Sequence, residues 1–117
     1  MLFHYGDFAK EERFHMRDGE GTVHMQPIVA GQENLPEKCR LFNVITLPKG
    51  ASIGYHVHEK ETEMFYFLSG SGKVLDDEKK LPVQAGDALV TSNGHGHSVI
   101  NDGEDDLVMV AVIVLDA

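Results

Sequence analysis

The chain has 117 residues, the length of one ordinary domain, and its 42% hydrophobic and 25% charged residues exclude a disordered segment. Nineteen acidic against ten basic residues give a formal charge of −9, a field that repels phosphate backbones and anionic leaflets, so neither nucleic acid nor membrane is an expected partner. The lone Cys39 excludes an internal disulfide, no run approaches the roughly 18 apolar residues of a membrane helix, and the opening MLFHYGDFAKEERF lacks a signal-peptide core, so the expected location is cytoplasmic.

In chain order, the first 38 residues carry a weak pattern. A short helix is expected at Asp7 to Phe14, then one strand around Thr22 to Val29, interrupted by Pro27, then a polar stretch from Gly31 to Lys38. This segment is free to join the main barrel or a dimer partner. From residue 39, β-favouring runs are cut at close intervals by Gly, Pro, Asn and Asp. They predict strands at Cys39 to Leu47, Ser52 to Val57, Glu63 to Ser69, Gly72 to Leu75, Ala88 to Thr91, His97 to Ile100 and Leu107 to Leu115. The last strand has no alternation, so both of its faces are expected to be covered, by a closed sheet or by a dimer partner. The expectation is a single all-β domain over 1–117, an antiparallel barrel or sandwich with its core at about 39–115.

Side chains two apart on a strand leave the same face, so His56 and His58 can reach one point. Glu63 follows the polar tetrapeptide Glu59-Lys60-Glu61-Thr62, of hairpin-loop length, and opens the neighbouring strand. His97 begins another strand, after the Ser92-Asn93-Gly94 turn, and can supply a fourth ligand from across a barrel. Three imidazoles and a carboxylate suit one divalent transition metal (manganese, iron, cobalt, nickel, copper or zinc) better than calcium or magnesium. Four protein ligands leave coordination positions open for water or substrate.

The spacing is more specific than the pair of histidines. Gly50, five residues, His56, one residue, His58, four residues, Glu63, six residues, Gly70 reproduces in full the first motif of the cupin family, which the chain resembles. Gly86, Ser92, Gly94, His97 and Asn101 resemble its second motif, with Ser92 in place of the family's proline. That departure bears on the stiffness of the turn rather than on the ligand after it. The resemblance implies a six- to eight-stranded antiparallel barrel or jelly roll, commonly a homodimer, with His56, His58, Glu63 and His97 as metal ligands.

Other residues carry less. Glu59 and Glu61 read as solvated loop carboxylates, Glu61 being the substitute should Glu63 not ligate. His95 shares parity with His97, as an exposed turn residue or as a group behind the ligands. His4, His15 and His24 read as surface groups, and Cys39 as a small buried apolar residue. Phe65 and Phe67 share the face of Glu63, and Val99 and Asn101 that of His97; with Arg40 and His95 they are the candidate pocket lining, Phe65 and Phe67 being equally readable as core. No catalytic residue is assigned.

Two functions fit. One is a metalloenzyme acting on a small oxygen-bearing substrate, of dioxygenase, decarboxylase or isomerase type. The alternative is a non-catalytic module that binds a metabolite or sugar. Sugar-phosphate isomerisation ranks lower, because only Arg40 and Lys73 are cations within the predicted strands.

Overall fold

The computed structural model describes residues 1–4 and 10–116. Its strands are β1 (Glu11–Phe14), β2 (Thr22–Pro27), β3 (Cys39–Leu47), β4 (Ser52–Val57), β5 (Glu61–Ser69), β6 (Ser71–Asp76), β7 (Lys79–Gln84), β8 (Ala88–Thr91), β9 (Gly96–Ile100) and β10 (Leu107–Leu115). They form a six-stranded sheet in the order β1-β2-β3-β10-β5-β8 and a four-stranded sheet in the order β4-β9-β6-β7. Every pairing is antiparallel, and the all-β jelly-roll architecture predicted from the sequence stands.

Alternation places the core between the two sheets. The large sheet contributes Val23 and Met25 of β2, Ile45 and Leu47 of β3, Phe65 and Phe67 of β5, and Leu107, Met109 and Ala111 of β10; the small sheet answers with Ile53, Val74 and Val99. Each large apolar side chain buried in this way contributes roughly 1.5–3 kcal/mol.

Two expectations are corrected, and a third is met within the chain on one face only. Over Glu11–Phe14 the chain is an exposed edge strand paired with β2 rather than a helix, because the ladder to β2 satisfies its backbone groups; the other part of that expectation, 7–9, lies outside the described residues. A strand absent from the reading, β7, pairs only with β6. Its Pro82 is tolerated at a sheet edge, where no partner needs the missing N–H. The outer face of β10 is not fully covered within the chain. Leu107, Met109, Ala111 and Ile113 are buried, Val108, Val110 and Val112 are half-buried, and Val114 is exposed, because β10 lies mid-sheet with only its inner face on the core.

Two irregularities shape one end of the sandwich. The register of β4 against β9 runs Ile53 opposite Val99 and then His56 opposite His97, so Gly54 and Tyr55 face Ser98 alone. This bulge turns His56 inward although it lies three residues after the inward-facing Ile53. Over the bulge lies the link from β1 to β2, a strap with a tight turn at Met16–Asp18 in which His15, Arg17 and Asp18 all have positive φ. Paired bonds pin the strap to β4: Glu20 N–H donates to Ser52 Oγ at 2.8 Å, and Ser52 N–H to the Glu20 carbonyl at 2.9 Å.

Candidate metal centre

His56 and His97 are cross-strand neighbours on β4 and β9, and His58 follows two residues after His56 just past the end of β4. Glu63 enters from β5 in the opposite sheet, so the cluster bridges the two layers. The ligand atoms of all four lie within 4.8 Å of one another. His97 Nε2 is 3.1 Å from His58 Nε2 and 3.2 Å from His56 Nε2, and Glu63 Oε1 is 3.0 Å from His58 Nε2 and 3.1 Å from His97 Nε2. His58, Glu63 and His97 are buried; His56 is half-buried.

Each ring is held by its other nitrogen. His56 Nδ1 donates to the Gly54 carbonyl at 2.8 Å, so the bulge supplies the acceptor that orients it. His58 Nδ1 donates to Glu61 Oε2 at 2.6 Å, and Glu61 is gripped by Arg40 through two bonds of 2.7 Å. His97 Nδ1 is hydrogen-bonded with Thr91 Oγ1 at 2.8 Å, and Phe65 stacks on its ring, with centroids 4.9 Å apart and planes 19° from parallel. Carbonyl and ionised carboxylate only accept, which fixes the proton of neutral His56 and His58 on Nδ1 and leaves each Nε2 a bare lone pair. Lone pairs and a carboxylate converging on one buried point could hold a metal ion.

The spacing fits a metal ion. Neighbouring ligands at right angles and roughly 2.1–2.2 Å from a shared centre stand roughly 3.0–3.1 Å apart, which matches the contacts between Glu63, His58 and His97. The electrostatics agree. Burial pushes the Glu63 carboxyl up, but its bonds to His58 and His97 outweigh that and hold it at about 2, so it stays an anion. Arg40 holds Glu61 below the usual carboxylate range. Glu63, helped by Glu61, raises His58 against its own burial, whereas burial, with His97, His58 and Arg17, lowers His56 despite the bond to Gly54.

A cavity of about 70 Å³ opens on the cluster, lined by the ligand residues His56, His58 and Glu63, by apolar groups that include Ile53, Phe65 and Ile113, and by Arg13, Arg17 and Arg40. Of the candidate lining, Phe65 and Arg40 are present. Phe67, Val99 and Asn101 are not: they keep the predicted parity, but at about 3.3 Å per residue they lie farther along the sandwich, inside the core. The Asn101 amide donates to the carbonyls of Leu47 and Asp105, tying loops together. His95 is exposed outside the cavity and donates to Asp77 at 2.7 Å.

Glu61 is the principal correction. Far from a solvated loop group, it is buried behind His58; it shares parity with Glu63, Phe65 and Phe67, and that alternation was the available signal. Neither β1, which brings Arg13 to the cavity, nor the strap, which brings Arg17, left a pattern. Cations are not scarce beside the cluster, contrary to the expectation from the strands alone: Arg13, Arg17 and Arg40 all line the cavity. His15 bonds the Gly19 carbonyl at 3.0 Å and His24 lies 3.7 Å from Glu12. Cys39 is half-buried rather than buried.

The cupin domain family model matches residues 43–113. An oxalate-binding protein of Thermotoga maritima is 39% identical over 115 residues, covering 98% of this chain and 94% of that protein. A crystal structure of a predicted oxalate decarboxylase from Thermotoga maritima superposes with a TM-score of 0.93 at 39% identity, covering 98% of this chain and 99% of that one. The structure of KdgF from Halomonas, at 15% identity and a TM-score of 0.78 over 98% of this chain and 93% of that one, shares the fold. The match covers most of the strands and all four clustered side chains, and the chain belongs to the cupin family.

Proposed function

We propose that His56, His58, Glu63 and His97 hold one divalent transition metal and that the site binds a small carboxylate beside it. The single observation that carries this reading is that His56 and His58 are held outward by Nδ1, which aims their Nε2 lone pairs at the buried point where Glu63 and His97 Nε2 also converge. The carboxylate is suggested by the name of the 39%-identical relative and by the cationic cavity. When bound, the metal supplies Lewis-acid polarisation of a ligand oxygen. The chain's own residues orient the imidazoles, stack Phe65 behind His97 and present an apolar wall that excludes water. Elemental analysis after reloading should find about one equivalent of transition metal; less than a tenth of an equivalent would sink the proposal.

A second reading, turnover of the carboxylate by a metalloenzyme, is supported by coordination positions left open and by the crystal structure described as a predicted decarboxylase. Against it, among the described residues every carboxylate and imidazole lining the cavity is a proposed ligand, and decarboxylation or isomerisation needs a group free to move a proton. Metal-loaded protein supplied with oxalate separates the two: release of carbon dioxide with formate, or oxygen uptake, establishes an enzyme, and tight binding with neither establishes a binding module.

Imidazoles ligate only when neutral, so protons compete with the metal. His58 has a raised proton affinity, which means its protonated form persists to higher pH than in a free histidine and is gained as pH falls. Glu63 remains ionised throughout this range. Bound metal should therefore leave as pH drops below about 6, read by dialysis and elemental analysis. Full retention at about pH 4 would contradict the ligand set.

A further inference from the structure

Arg13, Arg17 and Arg40 are all the arginines in the chain, and all three line the cavity above the cluster. In a protein of formal charge −9, these three cations gather at one opening, where each is still exposed to solvent. Their states differ. Arg40 is committed to Glu61. Arg13 stands opposite Val23, hence on the inner face of the sheet, and leans on Glu11 at 3.1 Å; both side chains are about half exposed, so this pair is weak and exchangeable. Among the described residues, Arg17 has no carboxylate within ion-pair distance.

Arg17 is also fixed in place. It has a φ of 54° within a run of positive-φ residues, a conformation that persists only where the surroundings enforce it. Its carbonyl oxygen fills the space beside Gly54 that any Cβ would need, and the Asp18 N–H to His15 and Gly19 N–H to Met16 bonds, of 2.9 and 3.0 Å, close the turn around it. The strap therefore fixes the backbone of Arg17, and its exposed side chain lines the cavity together with His56.

We propose that Arg17, assisted by Arg13, is the specificity-determining residue of the site and selects small dicarboxylates over monocarboxylates. The inference rests on the metal reading above. A divalent ion and Glu63 leave one positive charge at the cluster, and Arg17, without an ion-pair partner among the described residues, adds a second at the mouth, so a ligand with an anionic group at each end is matched. At about 70 Å³ the cavity suits a two- or three-carbon acid better than a sugar phosphate. The apolar part of the lining, which includes Ile53, Phe65 and Ile113, offers no polar atom, so a ligand that sets polar groups against it loses hydrogen bonds on entry.

The test is calorimetric titration of metal-loaded wild type, Arg17→Gln and Arg17→Lys with oxalate and with oxamate, which replaces one carboxylate by an amide of the same size. Wild type should prefer oxalate by about tenfold or more, and Arg17→Gln should lose most of that preference at unchanged metal content and unchanged melting temperature. Arg17→Lys, which keeps the charge without the fork, should recover part of it. Equal oxalate affinity in wild type and Arg17→Gln would overturn the assignment, as would inorganic phosphate binding to wild type as tightly as oxalate. A wild type that takes up no metal would overturn the metal reading alone; the oxalate preference and its dependence on Arg17, read in that same protein, still decide the clamp.

Discussion

Replacing His97 by alanine is expected to leave less than about a tenth of an equivalent of metal, whereas Glu61→Gln should retain the metal but bind it roughly 10–100-fold more weakly. The two substitutions act at different distances from the centre. His97 lies at the middle of the cluster, 3.1–3.2 Å from three other ligand atoms, so its loss opens the site on the side where β9 closes it. Glu61 touches no metal position. Its carboxylate holds His58 Nδ1–H at 2.6 Å and is itself held by Arg40. The negative charge behind the ring raises the basicity of Nε2 and fixes its direction. Glutamine preserves the shape and one acceptor but discards the charge, so the change isolates the electrostatic part of the support. Competition against a chelator of known affinity reads both variants. Wild-type affinity in Glu61→Gln would show that the Arg40–Glu61 pair only packs against His58.

These residues also mark what the sequence discloses. The cluster was legible in part, from strand parity for His56 and His58 and a turn before His97; Glu63 was expected to open a strand beside β4, whereas β5 begins at Glu61 and lies in the opposite sheet. The strands from residue 39 were legible for the same reason, since alternation and turn chemistry are nearest-neighbour signals, and β3, β4, β8 and β10 have the predicted bounds. Glu61 was missed although it alternates with Glu63, Phe65 and Phe67, because its charge is satisfied by Arg40, 21 residues away, and a charged tetrapeptide read alone looks solvated. The strap was hidden because its path depends on positive φ at His15, Arg17 and Asp18, residues that do not announce it as glycine would. β7 was hidden by Pro82, which argues against a central strand and not against an edge.

Gly54→Ala should disturb the strap and the centre together, lowering stability by about 1–3 kcal/mol and the melting temperature by roughly 4–10 °C. A Cβ there meets the backbone carbonyl of Arg17, which cannot rotate away as a side chain could, so either the strap lifts or the bulge flattens. Lifting moves the guanidinium of Arg17 from the cavity mouth. Flattening moves the Gly54 carbonyl that orients His56. Gly50→Ala is the control, because Gly50 has a φ of 82° and open space around it. Its cost is the backbone penalty alone, of the order of 1 kcal/mol, with oxalate and metal binding unchanged. If Gly54→Ala melts with wild type and binds oxalate and metal as wild type does, the strap is not seated against β4 in solution, and the fixed position assigned to Arg17 falls with it.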